Sequence, residues 1–274
     1  MSVHLVLIDA LNLIRRIYAV QERPFLYSKT KEHNVLAENT KQQVLFNTQQ
    51  GCSLALGKIL QLLQPSHGLA VFDSQNPCWR YQLFPDYKKG RNKMPGHLAD
   101  KLPDIQDEFM TLSVDSLISD EDEADDLIAT LAVKVALRGQ KVTIISTDKS
   151  FLSLINPNIN VYDYFNRRYL DHLYVENKFQ VKPSQLIDFW MLTGDSTNKI
   201  PGIPGIGQVT AAALLNEHQS LTALMKATDI KASTHKKLLD SQEQLKMTRQ
   251  LLTLKQDIPL GFNLKDIRLQ MSSY

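Results

Sequence analysis

Val3-His-Leu-Val-Leu-Ile-Asp9 is a short apolar run that stops at a carboxylate, and two later stretches repeat the pattern: Leu69-Ala-Val-Phe-Asp73 and Lys141-Val-Thr-Ile-Ile-Ser-Thr-Asp148. Runs of this length, rich in Val, Ile and Leu, read as buried strands. Helical spacing of apolar residues fills the intervals at Leu11 to Val20, Ser53 to Leu63 and Glu123 to Arg138, the last stopped by Gly139. Strands alternating with helices predict an α/β fold, a mostly parallel central sheet with helices on both faces. Ligands bind such sheets outside the carboxyl ends of the strands, so Asp9, Asp73 and Asp148 are expected along one functional edge.

The chain has 274 residues and 43% hydrophobic content, enough for one large α/β domain and a smaller helical one. Cys52 and Cys78 are the two cysteines and have no metal-like spacing; with no targeting segment before the first apolar run, they predict a reduced, cytoplasmic protein. No stretch approaches the roughly 20 apolar residues of a membrane-spanning helix, so no membrane association is expected. Net charge is +2, from 31 basic and 29 acidic residues, and by itself announces no nucleic-acid binder. The distribution says more. Ser119 to Asp126 is strongly acidic, whereas Trp79 to Lys101 carries Arg80, Lys88, Lys89, Arg91, Lys93 and Lys101. An acidic pocket with basic surroundings fits a metal site inside a phosphate-binding surface; two ordinary solvated faces fit the same charge runs.

Residues Gln21 to Gln50 are polar and weakly periodic and read as a surface insertion. Beyond Val161-Tyr-Asp-Tyr the pattern turns helical, with candidates at Tyr174 to Phe179, Ser184 to Leu192, Gln208 to Glu217, Leu221 to Ala227 and Thr234 to Leu254. A boundary near residue 180, before Pro183, divides a core at 1–180 from a small all-helical domain at 181–274.

Glu123, Asp125 and Asp126 open a helix whose apolar residues Leu127, Ile128, Leu131 and Val135 recur at helical spacing. Carboxylates at a helix start also oppose the positive end of the macrodipole, and for this segment alone both readings stand. The strand-end aspartates favour the metal reading. Two carboxylates about 4 Å apart repel by roughly 4 kcal/mol at an effective dielectric of about 20, so a converging set needs a cation. All-oxygen ligands favour Mg²⁺, with Mn²⁺ as the alternative, over zinc.

Ile8-Asp-Ala-Leu-Asn-Leu-Ile-Arg-Arg16, Trp79-Arg80 with Pro85-Asp-Tyr-Lys-Lys-Gly-Arg91, Glu123-Ala-Asp-Asp126, Ser146-Thr-Asp-Lys149, and Gly194-Asp195 with Ile200-Pro-Gly-Ile-Pro-Gly-Ile-Gly207 resemble the successive motifs of the bacterial 5′ nuclease (flap endonuclease) family. They run in family order over nearly the whole chain, and Ala10 and the altered late motifs look closest to its short, polymerase-free branch. The resemblance implies a PIN-like nuclease core with a helical arch at about 79–110, followed by a helix-three-turn-helix domain. It implies a first metal site of Asp9, Asp73, Glu123 and Asp125, and a second facing Asp125 and Asp126 with Asp148 and Asp195 beside them. Arg16, Lys88 and Arg91 are implied to act on the scissile phosphate, and Tyr87 to stack on a nucleotide. The implied substrate is 5′-flapped or branched DNA, cut by a protein acting as a monomer without a small-molecule cofactor.

The pattern breaks at two positions. Ser150 and Asn198 stand where the family usually has aspartates, so the second metal site is expected to be weak and a DNA-binding protein with little nuclease activity is the alternative. In the helical domain, Gly205, Ile206, Gly207, Gln208, Val209 and Thr210 resemble the turn that grips duplex backbone. Val209 stands where the family has a lysine. Carbonyls of Leu192, Thr193, Pro201, Ile203 and Ile206 match a family potassium site. Glycines permit close backbone approach and a helix start offers unpaired amides, which suits sequence-independent phosphate binding.

Overall fold

Residues 3–26, 37–74, 76–118 and 121–270 are described in a computed structural model. The first part of the chain runs β1 (His4–Asp9), α1 (Ala10–Leu26), α2 (Glu38–Leu63), β2 (His67–Phe72), α3 (Trp79–Leu83), α4 (Gly96–Ala99), α5 (Leu102–Thr111), β3 (Asp115–Ile118), α6 (Ala124–Ala136), β4 (Lys141–Ile145), β5 (Ile159–Asp163), β6 (Arg168–Tyr169) and α7 (His172–Phe179). The remainder is α8 (Leu186–Thr193), a small ribbon of β7 (Gly194–Asp195) and β8 (Ile200–Pro201), α9 (Gln208–His218), α10 (Leu221–Leu224), α11 (Ala232–Asp240) and α12 (Gln242–Leu252). No helix among the described residues is long and apolar enough to cross a membrane.

The strands form one sheet in the order β3-β2-β1-β4-β5-β6, parallel except for the edge strand β6. Successive side chains of a strand point to opposite faces. Leu5 and Leu7 of β1 accordingly enter a core with α6 and the C-terminal helices, whereas Val6 and Ile8 enter another with α1, α2 and α5. The expected parallel sheet with helices on both faces is present. The core around α6 continues without interruption into α8, α9, α11 and α12.

Strand order reverses direction between β1 and β4, which lie side by side with Ile8 opposite Ile145. That is the switch point at which an open α/β sheet leaves a crevice at its carboxyl edge. Asp9 ends β1, Asp73 follows β2, and Asp148 follows β4 by three residues.

Three expectations are corrected. The stretch Gln21 to Gln50 is not a surface insertion throughout: α1 extends to Leu26, α2 begins at Glu38, and Val44 and Thr48 are fully buried. Its apolar stripe is thin because Thr48 takes a core position, returning its hydroxyl to the Val44 carbonyl at 2.7 Å. The rest of that stretch, residues 27–36, lies outside the described residues. The single helix expected over Thr234 to Leu254 is two, because Ser241, at φ −101° and ψ 11°, ends α11 and leads into α12. The segment 79–110 is not a continuous helical arch. Lys88 and Gly90 adopt positive φ, Pro95 precedes α4, and Ile105 and Phe109 bury α5 in the core. What crosses in front of the sheet edge is a strap of turns between α3 and α4.

Candidate metal centre

Asp9 is held on both oxygens: Oδ1 accepts from the Asn12 backbone N–H at 3.3 Å and Oδ2 from Ser146 Oγ at 2.7 Å. Ser146 Oγ in turn accepts from the Asp148 backbone N–H at 2.9 Å, so one hydroxyl joins the ends of β1 and β4. Asn12 Oδ1 accepts from Thr147 Oγ1 at 3.1 Å, and Arg16 Nη1 donates to that same hydroxyl at 2.6 Å. Asp73 Oδ1 accepts from the Ala124 backbone N–H at 2.7 Å and so caps the start of α6. The start of α6 is thus met by Asp73, which follows β2, as well as by the acids of its own first turn.

Asp9, Asp73, Asp125 and Asp148 share the wall of one cleft of about 380 Å³ with Arg15, Arg16, Lys88 and Arg91. Burial, followed by the charges of Asp148 and Asp73, pushes the Asp9 carboxyl up to about 7 against the pull of the Ser146 hydrogen bond. Burial and the charges of Asp148 and Asp9 likewise hold Asp125 well above the usual carboxylate range. Among the described residues, no donor hydrogen-bonds to the Asp125 carboxylate. A half-buried carboxylate with no donor, facing others that raise its proton affinity, suits a hard divalent cation. The separations are those of an open cleft: no three of these carboxylates bring oxygens within 4.8 Å of one another.

The other carboxylates expected to hold metal are otherwise engaged. Asp126 is fully buried and accepts from Arg80 Nη1 and Nη2 at 2.7 Å each, from Trp79 Nε1 at 3.2 Å and from the Lys255 backbone N–H at 2.9 Å. It acts as a structural anchor, its charge already met by Arg80 away from the cleft. Glu123 accepts from Arg80 Nη1 at 2.6 Å, from Tyr87 Oη at 3.1 Å and from Lys88 Nζ, so two cations meet its charge. Asp195 is 2% exposed; Lys149 Nζ at 2.7 Å and the Thr197 backbone N–H at 2.9 Å occupy Oδ1, and Asn198 Nδ2 at 2.7 Å occupies Oδ2. The Lys149 ammonium thus meets the charge of one acid expected beside the second metal. Tyr87 is 4% exposed, its hydroxyl on Glu123 and its ring edge-on to Tyr81, and it offers no face to a nucleotide.

The basic residues come from three elements. Arg16, on α1, lies over the Phe165 ring at 4.8 Å. Lys88 and Arg91 belong to the strap, which is tied to the ribbon region through one residue: Asn198 O accepts from the Lys88 backbone N–H at 3.0 Å and Asn198 Oδ1 from Arg91 Nη2 at 2.9 Å. A wider opening of about 820 Å³ beneath the strap carries Arg15, Lys88, Arg91 and Lys93 beside Asp73 and Glu123. The acidic floor and basic walls lie together.

Residues 4–180 match the 5′-3′ exonuclease N-terminal resolvase-like domain, and residues 181–274 match the 5′-3′ exonuclease C-terminal SAM fold. The chain belongs to the 5′-3′ exonuclease family. Within it, the chain is 69% identical over 273 residues to a flap endonuclease Xni from Colwellia psychrerythraea, covering 100% of this chain and 94% of that one. It is 46% identical over 270 residues to the Xni of Photobacterium profundum, covering 98% of each. Its fold is similar to that of a T5 5′-exonuclease with divalent metal ions (zinc) bound, at a TM-score of 0.72 and 18% identity over 92% of this chain and 89% of that one.

The late loop of this 5′-3′ exonuclease brings two backbones into contact. A Cβ on Gly202 would lie 2.3 Å from the Thr193 carbonyl carbon, and one on Gly194, at φ +77°, 2.5 Å from Gly202 N, so both positions require glycine. Of the carbonyls expected to hold potassium, Leu192 O accepts from the Ile203 backbone N–H at 2.8 Å, Ile203 O from that of Ile206 at 3.0 Å, and Pro201 O from Gln244 Nε2 at 3.2 Å. Gly205, Gly207, Gln208, Val209 and Thr210 are exposed, whereas the Ile206 side chain is buried. Gly207 provides no side-chain cap for α9, so the first amides of that helix stay open.

Arg80, Ser146, Asn12 and Lys149 were not singled out from the sequence. Arg80 lies within a quoted motif, but only the fold aims it at Glu123 and Asp126. Lys237 was also missed; its Nζ lies 2.5 Å from where a Gly205 Cβ would stand, over the exposed loop.

Proposed function

We propose that this chain is a 5′ flap endonuclease with 5′-3′ exonuclease activity, hydrolysing phosphodiester bonds of flapped or branched DNA with a divalent cation. Membership of the 5′-3′ exonuclease family and 69% identity to a flap endonuclease Xni support this reading. The observation that carries it is one cleft lined by Asp9, Asp73, Asp125 and Asp148 and faced by Arg16, Lys88 and Arg91.

Mg²⁺, with Mn²⁺ as a substitute, is the cation proposed for Asp9, Asp73, Asp125 and Asp148; when bound it polarises the phosphate and lowers the pKa of a coordinated water. Lys88 and Arg91 approach from the strap and Arg16 from α1, and their charges orient the scissile phosphate and offset the negative charge that grows on it. Ser146 and Asn12 fix Asp9 and the Asp148 loop, so those carboxylates are ordered before substrate arrives. We assign residues 181–274 to duplex binding through the open start of α9, with potassium at the carbonyls of Leu192, Thr193, Pro201, Ile203 and Ile206.

A labelled 5′-flap oligonucleotide incubated with and without Mg²⁺ tests the assignment. Mg²⁺-dependent release of the flap is expected; binding of the flap with no cleavage at any Mg²⁺ concentration supports instead a branched-DNA-binding protein. The tie of Asp195 to Lys149 and Asn198 is the feature that favours that second reading. The potassium assignment predicts tighter duplex binding in K⁺ than in Na⁺ at equal ionic strength, a necessary control because salt alone changes DNA affinity steeply.

A further inference from the structure

At the end of α9 opposite its open start, Glu217 and His218 close the helix and Asp229 lies in the loop between α10 and α11. One ligand atom from each residue falls within 4.8 Å of the other two. Charged groups at a surface often cluster without a ligand, but His218 makes this group different. Its side chain is only 9% exposed, its Nε2 is sealed from solvent without a hydrogen-bond partner, and Glu217 Oε2 lies 3.9 Å from it. Leaving a buried polar atom unsatisfied costs about 1–3 kcal/mol.

The polar side chains that follow α9 or pack against its last turn bond elsewhere. Gln185 Nε2 donates to Leu215 O and Gln219 O, Asn216 Nδ2 donates to Gln180 O, and Ser220 Oγ accepts from the Ala223 backbone N–H. The helix end is therefore held in place with the imidazole Nε2 left over beside the Glu217 carboxylate and Asp229 within the same cluster.

We propose that Glu217, His218 and Asp229 form a second, separate metal site, of one nitrogen and two oxygens, that takes a zinc-like divalent ion in preference to magnesium. Imidazole suits zinc, whereas Mg²⁺ prefers an all-oxygen octahedron. Three protein ligands and one water complete a tetrahedron, whose edges are roughly 3.3 Å for bonds of about 2.0 Å. Glu217 and Asp229 are exposed and free to rotate in by that margin, while His218 is already set. A cation here also meets the negative end of the α9 dipole. Bound metal would tie the last turn of α9 to the α10–α11 loop, fixing the helix whose first turn is assigned to the DNA backbone. The site does not depend on the nuclease reading.

The test is equilibrium dialysis of the full chain, stripped of metal, against micromolar Zn²⁺ in millimolar Mg²⁺, with zinc counted by mass spectrometry. The parent is expected to hold one more equivalent than His218→Gln or Asp229→Asn; zinc on the strand-end aspartates contributes equally to all three. Asp125→Asn should keep the equivalent. Asp229 is exposed, so Asp229→Asn decides the matter alone if His218→Gln does not fold. Zinc should also raise the melting temperature of the parent more than that of Asp229→Asn, by the stabilisation the extra site supplies. Equal zinc counts in parent and Asp229→Asn overturn the proposal and leave His218 as one half of an ion pair with Glu217.

Discussion

Arg80 grips Asp126 with both terminal nitrogens at 2.7 Å while the same guanidinium reaches Glu123 at 2.6 Å and the Leu251 carbonyl at 3.0 Å. The arginine is 1% exposed and Asp126 not at all. Arg80 thus joins the start of α6, which carries the cleft acid Asp125, to the end of α12. The buried arginine thereby adds ionic ties to the apolar core that packs the acidic helix against the C-terminal helices.

Arg80→Met should destabilise the protein by about 3–5 kcal/mol, since it leaves Asp126 buried without its counter-charge and Glu123 with Lys88 alone. Asp126→Asn should also lower stability in urea melts while leaving Mg²⁺ affinity at the parent's value by calorimetry. Loss of Mg²⁺ affinity in Asp126→Asn without loss of stability would return Asp126 to the metal site.

Asp125→Asn removes the one cleft carboxylate to which no described donor hydrogen-bonds. Charge stabilisation by a bound cation amounts to several kcal/mol and each 1.36 kcal/mol is tenfold in rate, so single-turnover flap cleavage should fall by at least about a hundredfold. Without metal the variant should melt at or above the parent's temperature, because a repelling charge has gone. An unchanged Mg²⁺ titration would rule the assignment out.

Asp9 is held at about 7 in the folded chain, above its ordinary value of 3.8. A carboxyl with a raised folded pKa binds more protons folded than unfolded between those values, so it makes stability fall as pH rises from about 4 to 7. Metal-free protein should lose melting temperature across that window. Mg²⁺ should remove the slope at its upper end and release protons near pH 7, measurable in weakly buffered calorimetry. A metal-free melting temperature that rises steadily from pH 5 to 7 contradicts this account of Asp9.

Asn198 donates to Asp195 and accepts from Arg91 and Lys88, so Asn198→Asp alone trades a hydrogen bond for like-charge repulsion. It should lower metal-free stability by about 1–3 kcal/mol. Combined with Ser150→Asp, at a residue whose hydroxyl is buried and unpartnered, it should restore a second cation position and raise single-turnover cleavage at limiting Mg²⁺. If the folded double variant cleaves no faster across a Mg²⁺ series, the missing carboxylates do not limit the reaction.

Lys237 stands over Gly205 in the exposed loop that leads to the uncharged Val209. Lys237→Ala should weaken duplex binding equally for different sequences and reduce the slope of log affinity against log salt by about 0.9. An unaltered slope places the side chain off the DNA.

The strands β1, β2 and β4 and their carboxyl-edge aspartates were legible in the sequence because a buried strand leaves a local mark, an unbroken apolar run ending in Asp9, Asp73 or near Asp148; the half-exposed β3 and the two-residue β6 leave no such mark. The Gly-rich loop was legible for a similar reason, since only glycine permits the backbone contact between Gly194 and Gly202. Spacing could not say which acids remain available to metal. Asp125 and Asp126 are adjacent and chemically alike, yet one faces the cleft and the other meets Arg80, because successive residues on a helix point in different directions. The polar helix α2, which buries Val44 and Thr48, and the break at Ser241 were likewise decided by tertiary packing. Apolar patterning determined the sheet and its functional edge; the pairing of charges from distant segments, Arg80 with Asp126, Lys149 with Asp195 and Lys88 with Glu123, was decided only when folding brought them within reach.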